Sequence, residues 1–211
     1  MQILYLDSVD STQKYLKKLI KEEKISSSYA VVANSQTDGV GSRGNSWSGV
    51  RNNLFLSFAI PLKDLPKDLR LESASIYFSY ILKETLAELN SSVWLKWPND
   101  FYIGDKKIGG MITNLVEDSL VCGVGLNIAD APENFAKLDI EVNRDELINI
   151  YFINIEKKSL WKQVFSKYKI EFYKNQNFYT HDKNLIISLE DASLQGDGSI
   201  VINGERIYSR R

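Results

Sequence analysis

The chain has 211 residues, and its 26 lysines and arginines against 27 aspartates and glutamates leave a formal net charge of -1. Since a typical domain has roughly 150 residues, the length indicates one full domain with a small addition, and the balanced charge argues against a protein that mainly neutralises a nucleic-acid backbone. With 44% hydrophobic and 25% charged residues, the composition excludes disordered, collagen-like and coiled-coil proteins.

The first half of the chain alternates predicted strands and helices. Residues 3–6 predict a short strand, and Asp10 and Ser11 offer N-cap side chains to the helix that follows. Further strands are predicted at residues 30–33 and 54–60, on either side of a polar, glycine-rich stretch. A core helix is predicted over residues 71–89, with an apolar face made of Leu71, Ala74, Phe78, Ile81, Leu82 and Leu89.

The second half predicts a run of strands, then two helices and a β-unit. Strands at residues 93–97, 101–103, 107–116 and 120–128 are joined by short turns, so sequential neighbours should pair antiparallel. Asn143 with Glu146 resembles a capping box that opens a helix, and a second helix is predicted at residues 161–172. Residues 184–211 alternate around two glycine turns, which indicates a small antiparallel β-unit that must dock on the main domain.

These elements predict an α+β fold, with a mixed, largely antiparallel central sheet flanked by helices and a small C-terminal β-unit. The expected division places the main domain at residues 1–180 and the C-terminal unit at residues 181–211.

Cysteine and histidine each occur once. Cys122 lies in an apolar run and is expected to be a buried structural thiol. With one histidine, His181, and one cysteine, we expect no histidine-based triad, two-histidine zinc site or Cys/His cluster, which leaves chemistry based on lysine, carboxylate, amide and backbone groups. Since the N-terminus lacks a signal-peptide pattern and no 18 apolar residues run together, we expect a cytoplasmic protein without membrane contact.

The 12 glycines fall in four clusters, and residues 1–38, 50–103 and 126–195 contain none. Glycine serves where the backbone needs positive φ or must approach something closely. The stretch Q-T-D-G-V-G-S-R-G-N-S-W at residues 36–47 adds one cation, Arg43, and an aromatic, Trp47, which together suit an anionic ligand. It is not a Walker loop, and a plain mobile surface loop is an equal alternative.

Two lysines stand beside other polar or glycine-rich motifs. In K-W-P-N-D at residues 96–100, Asn99 and Asp100 at a strand end suit a ligand or a hydrated cation, although they also suit an ordinary turn. Lys107 precedes I-G-G-M, where a compact charge could lie against a ligand packed on bare backbone, although a solvated hairpin lysine is an alternative. The run G-V-G-L-N at residues 123–127 suits an aromatic base or ring.

In order and spacing, these motifs, starting with S-T-Q at residues 11–13, closely resemble the biotin-protein ligase family over nearly all of residues 7–130. The resemblance implies an ATP-dependent ligase that makes biotinyl-5'-AMP from biotin and ATP and then transfers biotin to a lysine of a biotin carboxyl carrier protein. It implies a fold similar to class II aminoacyl-tRNA synthetases, a shortened SH3-like C-terminal unit and, since the catalytic motifs begin at once, the ligase-only type without an N-terminal DNA-binding domain.

The resemblance also implies the site residues. Those implied for biotin are Ser11, Thr12, Gln13, Gln36, Gly39, Trp47, Gly109, Gly110 and Gly123. Those implied for ATP and its phosphates are Gly41, Ser42, Arg43, Lys96, Asn99, Lys107 and Asn127. The implied catalytic residues are Lys107, Asp100 and Arg43, and Mg²⁺ would be held mainly by the ATP phosphates, with Asp100 as a candidate ligand.

One motif departs from the family. Its loop usually reads G-R-G-R-x-x-R-x-W, and the three arginine positions here hold Val40, Ser42 and Asn45. The hypothesis is that Arg43, Lys96 and Lys107 supply the missing charge.

Two alternatives remain open at this point. A lipoate ligase or another acyl-adenylating enzyme would share the fold and the chemistry. A non-catalytic binding module that contacts nucleic acid is suggested by the lysines among aromatics at residues 157–174, but the helical spacing of those aromatics favours a core face with a solvated lysine face. We expect no nucleic-acid partner and a monomer or weak homodimer.

Overall fold

The computed structural model describes residues 1–25, 28–42, 45–47, 49–182 and 185–209. A seven-stranded sheet forms the centre of the molecule. Its strands are β1 (Gln2–Val9), β2 (Tyr29–Gln36), β3 (Leu54–Pro61), β4 (Trp94–Lys96), β5 (Asp100–Ile103), β6 (Lys106–Val116) and β7 (Ser119–Leu126). Their order across the sheet is β1-β2-β3-β7-β6-β5-β4.

Most neighbouring strands of the sheet run antiparallel. Strands β1 and β2 are parallel, and α1 (Thr12–Lys21) crosses between them. Each other neighbouring pair in this sheet is antiparallel. Short turns explain this direction for β4–β5, β5–β6 and β6–β7, whereas β2–β3 and β3–β7 are connected by longer stretches of chain. The prediction of a mixed, largely antiparallel sheet is therefore confirmed, although β1 and β2 are longer than predicted.

Helix α1 begins close to the middle of the sheet. Ser11 is its N-cap and accepts a hydrogen bond from the Lys14 main-chain N–H, which confirms the predicted cap. Thr12 and Gln13 in the first turn are buried, as are Leu16 and Ile20 further along. The sheet thus covers one face of the helix and buries two polar side chains of its first turn.

Three more helices cover the sheet: α2 (Ala74–Glu88), α3 (Arg144–Glu156) and α4 (Trp161–Glu171). The prediction that Leu71 belongs to the core face of α2 is wrong. Leu71 lies in a short 3₁₀ turn before the helix and is 42% exposed, because the α-helical phase begins only at Ala74. Cys122 is buried against the same core, which confirms its predicted place.

Helices α3 and α4 bear out the sequence patterns. The Asn143 side chain accepts hydrogen bonds from the main-chain N–H groups of Asp145 and Glu146 and so caps α3. Helix α4 buries Trp161, Val164 and Tyr168. Its lysines are exposed at positions 162, 167 and 169, as expected for a core face with a solvated lysine face.

The C-terminal part forms two small sheets. Strands β8 (Tyr179–Asp182) and β9 (Leu185–Ser188) make one, and β10 (Ser193–Leu194), β11 (Ile200–Ile202) and β12 (Glu205–Ile207) make the other. Apolar residues of β11 and β12 join the core of the main sheet, which confirms the predicted docking. The proposed boundary after residue 180 falls inside β8, so the division into two units remains a proposal.

Two tryptophans fasten this unit to the main domain. The indole N–H of Trp97 donates to the Gly198 carbonyl at 2.8 Å, and that of Trp161 donates to the Gly196 carbonyl at 2.8 Å. Among the residues that the structure describes, no helix is both long and apolar enough to span a bilayer.

Candidate active site

A cleft lies on the face formed by β3, β7 and β6, between the start of α1 and the loop after β2. Most of the predicted site residues line it: Ser11, Thr12, Gln13, Gln36, Gly41, Ser42, Trp47, Asp100, Lys107, Gly110 and Gly123. The structure thus gathers residues from five separate parts of the chain, as the motif order predicted.

One end of the cleft, which we call the polar end, consists of Ser11, Thr12, Gln13, Gln36 and Ser57. The main-chain N–H and the hydroxyl of Thr12 both donate to Gln36 Oε1, at 2.7 Å and 3.0 Å. The Thr12 and Ser57 hydroxyls are 2.9 Å apart, and since the proton of Thr12 is used on Gln36, Ser57 must donate. This network orients the Gln36 amide before any ligand binds.

Gln13 adds an unused donor to the polar end. Its Nε2 is buried and, among the described residues, has no hydrogen-bond partner. A buried donor without a partner is costly. A neutral ligand ring that carries a carbonyl and N–H groups would satisfy it together with the neighbouring hydroxyls.

Next to the polar end, the sheet surface of the cleft consists of Gly110, Gly123 and Gly125, which we call the glycine wall. A Cβ at Gly125 would collide with the Trp47 indole, and one at Gly123 would lie 3.1 Å from Gln13 Nε2. The indole therefore lies directly on bare backbone, with its Nε1 buried and without a partner in the described part of the chain. The bare backbone beside the indole, at Gly110 and Gly123, suits a flat, apolar ligand segment.

The described residues of the 39–47 loop form a small hairpin over the cleft. Val40 and Ser46 form an antiparallel bridge, and the Trp47 N–H donates to the Gly39 carbonyl at 2.8 Å. The Gly41 N–H donates to the Asn45 carbonyl at 2.7 Å. These described residues thus cover the cleft through hairpin contacts, while Arg43 lies outside the described residues.

The other end, which we call the cationic end, is lined by Asp100 and Lys107, and Lys96 lies behind Asp100. Lys107 Nζ lies 2.7 Å from Asp100 Oδ1, and Lys96 Nζ lies 3.8 Å from Asp100 Oδ2. Two ammonium groups around one carboxylate leave an excess positive charge. Burial, and then the charge of Asp100, raises the pKa of nearby Tyr102 to about 12, so its phenol is neutral at physiological pH.

A β-bulge turns Lys107 towards the cleft. Lys107 is three residues from Gly110, and in a regular strand two such residues face opposite sides of the sheet. The pairing of β5 with β6 shifts register between Phe101 and Tyr102. The extra residue in β6 places Lys107 and Gly110 on the same face of the sheet. The side chain of Lys107 is 29% exposed, so the alternative of a solvated hairpin lysine does not describe it.

Five predicted site residues do not line the cleft. Lys96 reaches Asp100, Gly39 builds the hairpin, and Gly109 pairs with Leu126 in the sheet. Asn99 and Asn127 are buried, and their amides donate to the carbonyls of Met111 and Ala136. These five residues support the residues that line the cleft.

Six lining residues were not named individually as site residues: Val40, Ser57, Met111, Ile112, Val124 and Gly125. Ser57 and Ile112 lie outside the motifs that the sequence analysis singled out, and the other four lie within them. Ser57 had a usable signal, because it is the one polar residue in the run L-F-L-S-F-A-I at residues 54–60. Gly125 had one as well, since a period of two places it on the same strand face as Gly123. The aliphatic residues carry no signal that separates them from core positions.

Comparison with known proteins agrees with this geometry. Residues 5–127 match the biotin/lipoate A/B protein ligase family. The bifunctional ligase/repressor BirA of Escherichia coli is 34% identical over 134 residues, which cover 60% of this chain and 40% of that protein. The biotin–[acetyl-CoA-carboxylase] ligase of Mycobacterium tuberculosis is 31% identical over 108 residues, which cover 49% of this chain and 40% of the relative. The chain thus matches less than half of the length of these curated relatives.

Solved structures match over the whole fold. The biotin acetyl coenzyme A carboxylase synthetase of Helicobacter pylori, solved with bound biotinylated ATP, is 39% identical with a TM-score of 0.94, covering 98% of this chain and 99% of that one. The biotin protein ligase of Aquifex aeolicus, at 24% identity and a TM-score of 0.80, shares the fold over 100% of this chain and 99% of its own. Since the family match spans more than half of its residues, the chain belongs to the biotin/lipoate A/B protein ligase family.

Proposed function

We propose that this protein activates biotin with ATP to biotinyl-5'-AMP and then transfers biotin to a lysine of a biotin carboxyl carrier protein. The observation that carries this proposal is a single cleft that joins a preformed polar end to a cationic end across a glycine wall. The similar Helicobacter pylori structure, with its bound biotinylated ATP, supports the same assignment.

The cleft matches biotin from one end to the other. The ureido ring is neutral and has one carbonyl and two N–H groups, which suits the amides and hydroxyls of Gln13, Gln36 and Thr12. The apolar thiophane ring and valeryl chain would lie on the bare backbone of Gly110 and Gly123, beside the Trp47 indole. The carboxylate at the far end of the chain would then reach Lys107.

In the first step, a carboxylate oxygen of biotin attacks the α-phosphorus of ATP. A new P–O bond forms, and the bond to pyrophosphate breaks. Several anionic groups must come together for this, and the excess positive charge at the cationic end offsets their repulsion. Lys107 would leave Asp100 to contact the ligand anions, and the loss of one such charge commonly costs on the order of 10²–10³ in rate.

Mg²⁺ would arrive on the ATP phosphates. Within the residues that the structure describes, no group of three or more His, Cys, Asp or Glu is placed to hold a metal ion, and Asp100 already pairs with Lys107. These residues fit an ion held by phosphate oxygens, with Asp100 as at most one protein ligand. When bound, the ion neutralises part of the phosphate charge.

In the second step, the amine of a carrier lysine attacks the acyl carbon of the adenylate. A C–N bond forms, the bond to AMP breaks, and the amine gives up a proton. Asp100 is proposed as the acceptor, since it is a carboxylate on the cleft surface and lies next to the reacting groups. The hairpin over the cleft would exclude water from the reactive anhydride.

The polar end favours biotin over lipoate. The dithiolane ring of lipoate has no N–H or carbonyl groups, so it would leave the Gln13 donor buried without a partner. Sites built to hydrogen-bond a ligand reject analogues that lack those groups, because their own polar atoms then remain unsatisfied. Two further expectations stay predictions: a cytoplasmic location, and a monomer or weak homodimer.

The test is a mass measurement on the product. Purified protein is incubated with ATP, Mg²⁺, biotin and an apo biotin carrier domain, and a gain of one biotinyl group on the carrier is expected. Parallel reactions omit ATP or replace biotin by lipoate, and both should leave the carrier mass unchanged. Lipoylation without biotinylation, or no gain with either acid, would contradict the proposal.

A further inference from the structure

One buried amide ties together the segments that lie beyond the cationic end. Asn53, just before β3, is 1% exposed. Its Oδ1 accepts from the main-chain N–H groups of Ile128, Ala129 and Asp130 at 3.0, 2.9 and 3.3 Å. Its Nδ2 donates to Asn127 Oδ1 at 3.1 Å and to the Asp130 carbonyl at 2.8 Å. A whole turn is thus folded around a single side chain, with every donor and acceptor of the amide in use.

That turn begins the 127–138 segment, which runs beside the main chain of Lys107. The Asn127 N–H donates to the Ile108 carbonyl at 2.8 Å, and the Ala136 N–H donates to the Lys107 carbonyl at 3.0 Å. The Asn127 side chain donates to the Ala136 carbonyl at 3.2 Å and so closes the segment on itself. A series of hydrogen bonds through Asn127 and Ala136 therefore connects Asn53 to the backbone of Lys107.

Strand β7 shows which part of the ligand this segment would meet. Gly123 faces Gln13 at the polar end, and Gly125 faces Trp47 in the middle of the cleft. The strand then ends at Leu126 and leads into Asn127. At about 3.3 Å per residue, the 127–138 segment begins roughly 13 Å beyond the ureido position, past the reach of the biotin ring.

An aromatic side chain of the segment completes the far wall. The Phe135 ring lies edge-on to the Trp47 indole, with centroids 6.3 Å apart and planes at 86°. Phe135 is 38% exposed. A nucleotide that offers its α-phosphate to the carboxylate at Lys107 must extend away from the polar end, and this aromatic wall lies in that direction.

We propose that Asn53 is a positioning residue for the nucleotide half of the site: it holds the 127–130 turn and, through it, the 127–138 segment against which the adenosine part of ATP binds. The inference rests on the proposed function, which supplies ATP as the ligand. Asn53 itself does not contact the substrate in this proposal. Among the described residues, no hydrogen bond of Asn53 reaches Thr12, Gln13 or Gln36, so the polar end does not depend on Asn53.

Two substitutions separate positioning from general stability. Asn53→Ala removes all the hydrogen bonds. Asn53→Asp keeps an oxygen for the three N–H groups but brings a carboxylate against Asn127 Oδ1 and the Asp130 carbonyl. The matched control is Asn154→Ala, which removes a partly buried asparagine whose Nδ2 donates to Thr85 Oγ1 at 2.9 Å on the opposite side of the core.

The experiment measures the KM for ATP in biotin-dependent pyrophosphate exchange, the biotin Kd by calorimetry, and hydrogen exchange at residues 128–130. We expect Asn53→Ala to raise the KM for ATP about 10-fold or more, with a biotin Kd within about threefold of the wild-type value. The KM for ATP of Asn53→Asp should lie between those of wild type and Asn53→Ala. The control should change neither the KM for ATP nor the biotin Kd. Hydrogen exchange at residues 128–130 should be fastest in Asn53→Ala, slower in Asn53→Asp and unchanged in the control.

Equal losses of ATP and biotin recognition, or an unchanged KM for ATP in both Asn53 variants, would overturn the inference. If Asn53→Ala does not fold, Asn53→Asp decides the matter. If wild type binds neither biotin nor ATP, the proposed function has failed, and unchanged hydrogen exchange at residues 128–130 in the Asn53 variants would then overturn the positioning role by itself.

Discussion

The polar end and the cationic end of the cleft are held in different ways. At the polar end, side chains from α1, β2 and β3 bond to one another, as in the pair of Thr12 donors on Gln36 and the Ser57 hydroxyl 2.9 Å from Thr12. At the cationic end, Lys107 and Asp100 pair at 2.7 Å and satisfy each other's charge. The polar end can accept a neutral ring without rearrangement, whereas Lys107 must exchange one anion for another, so its contribution is a difference between two ion pairs.

The largest effect should come from Lys107→Ala. Without this charge, biotin-dependent pyrophosphate exchange should fall by about 10²–10³ or more, while the biotin Kd, set mainly at the polar end, should rise less than about tenfold. Exchange assays and calorimetry measure both. Lys106→Ala, at an exposed neighbour on the same strand, is the control. Undiminished exchange in the Lys107 variant would remove this residue from the mechanism.

A smaller loss is expected from Gly125→Ala, between the two ends. The added Cβ would collide with the Trp47 indole, and overpacking of about 1–3 kcal/mol corresponds to roughly 5–150-fold weaker biotin binding. Gly196→Ala is the matched control, because a Cβ there meets nothing within 4 Å. Equal biotin Kd values for the two variants would show that the indole does not lie on this strand when biotin binds.

Thr12→Val probes the preformed network at the polar end. It removes a hydroxyl that donates to Gln36 and accepts from Ser57. A net loss of about 1–1.5 kcal/mol should raise the biotin Kd about 5–15-fold, with exchange at saturating biotin almost unchanged. Thr180→Val, at a buried threonine in β8, is the control. A fall in the exchange rate at saturating biotin would break the separation of the two ends.

The smallest effect concerns Tyr102 beside the cationic end. Since burial raises its pKa from 10.0 to about 12, the unfolded chain releases this proton first, and stability is lost as the pH rises through this range. Tyr102→Phe should therefore lose less stability than wild type between pH 9 and pH 11, measured by urea unfolding. Parallel losses in the two proteins would mean that the phenol is not shielded.

Much of the fold follows from patterns over short stretches. Apolar periodicity predicted the helices, and short turns predicted the antiparallel pairs, because both depend on residues within a few positions of one another. The prediction for Leu71 was wrong because it also relied on local spacing alone. That spacing fits the helix, but the α-helical phase begins three residues later.

The site was recognised mainly through motifs that combine glycine with polar residues. Gly123, Lys107 and Gln36 belong to motifs whose combined order indicated a site, although each motif alone had an ordinary alternative, and all three line the cleft. Asn99 and Asn127 also stood out and lie behind the cleft instead, since an asparagine that serves a ligand and one that serves a buried carbonyl look alike in the chain.

Local residue order was enough to establish the strands, the helices, the glycine wall and the family resemblance. Only the folded chain establishes that Thr12 meets Ser57, that a bulge turns Lys107 towards Asp100, and that Asn53 holds a turn 74 residues away. These contacts depend on β3 lying between β2 and β7. That arrangement is set by burial over the whole core, which no short stretch of sequence contains.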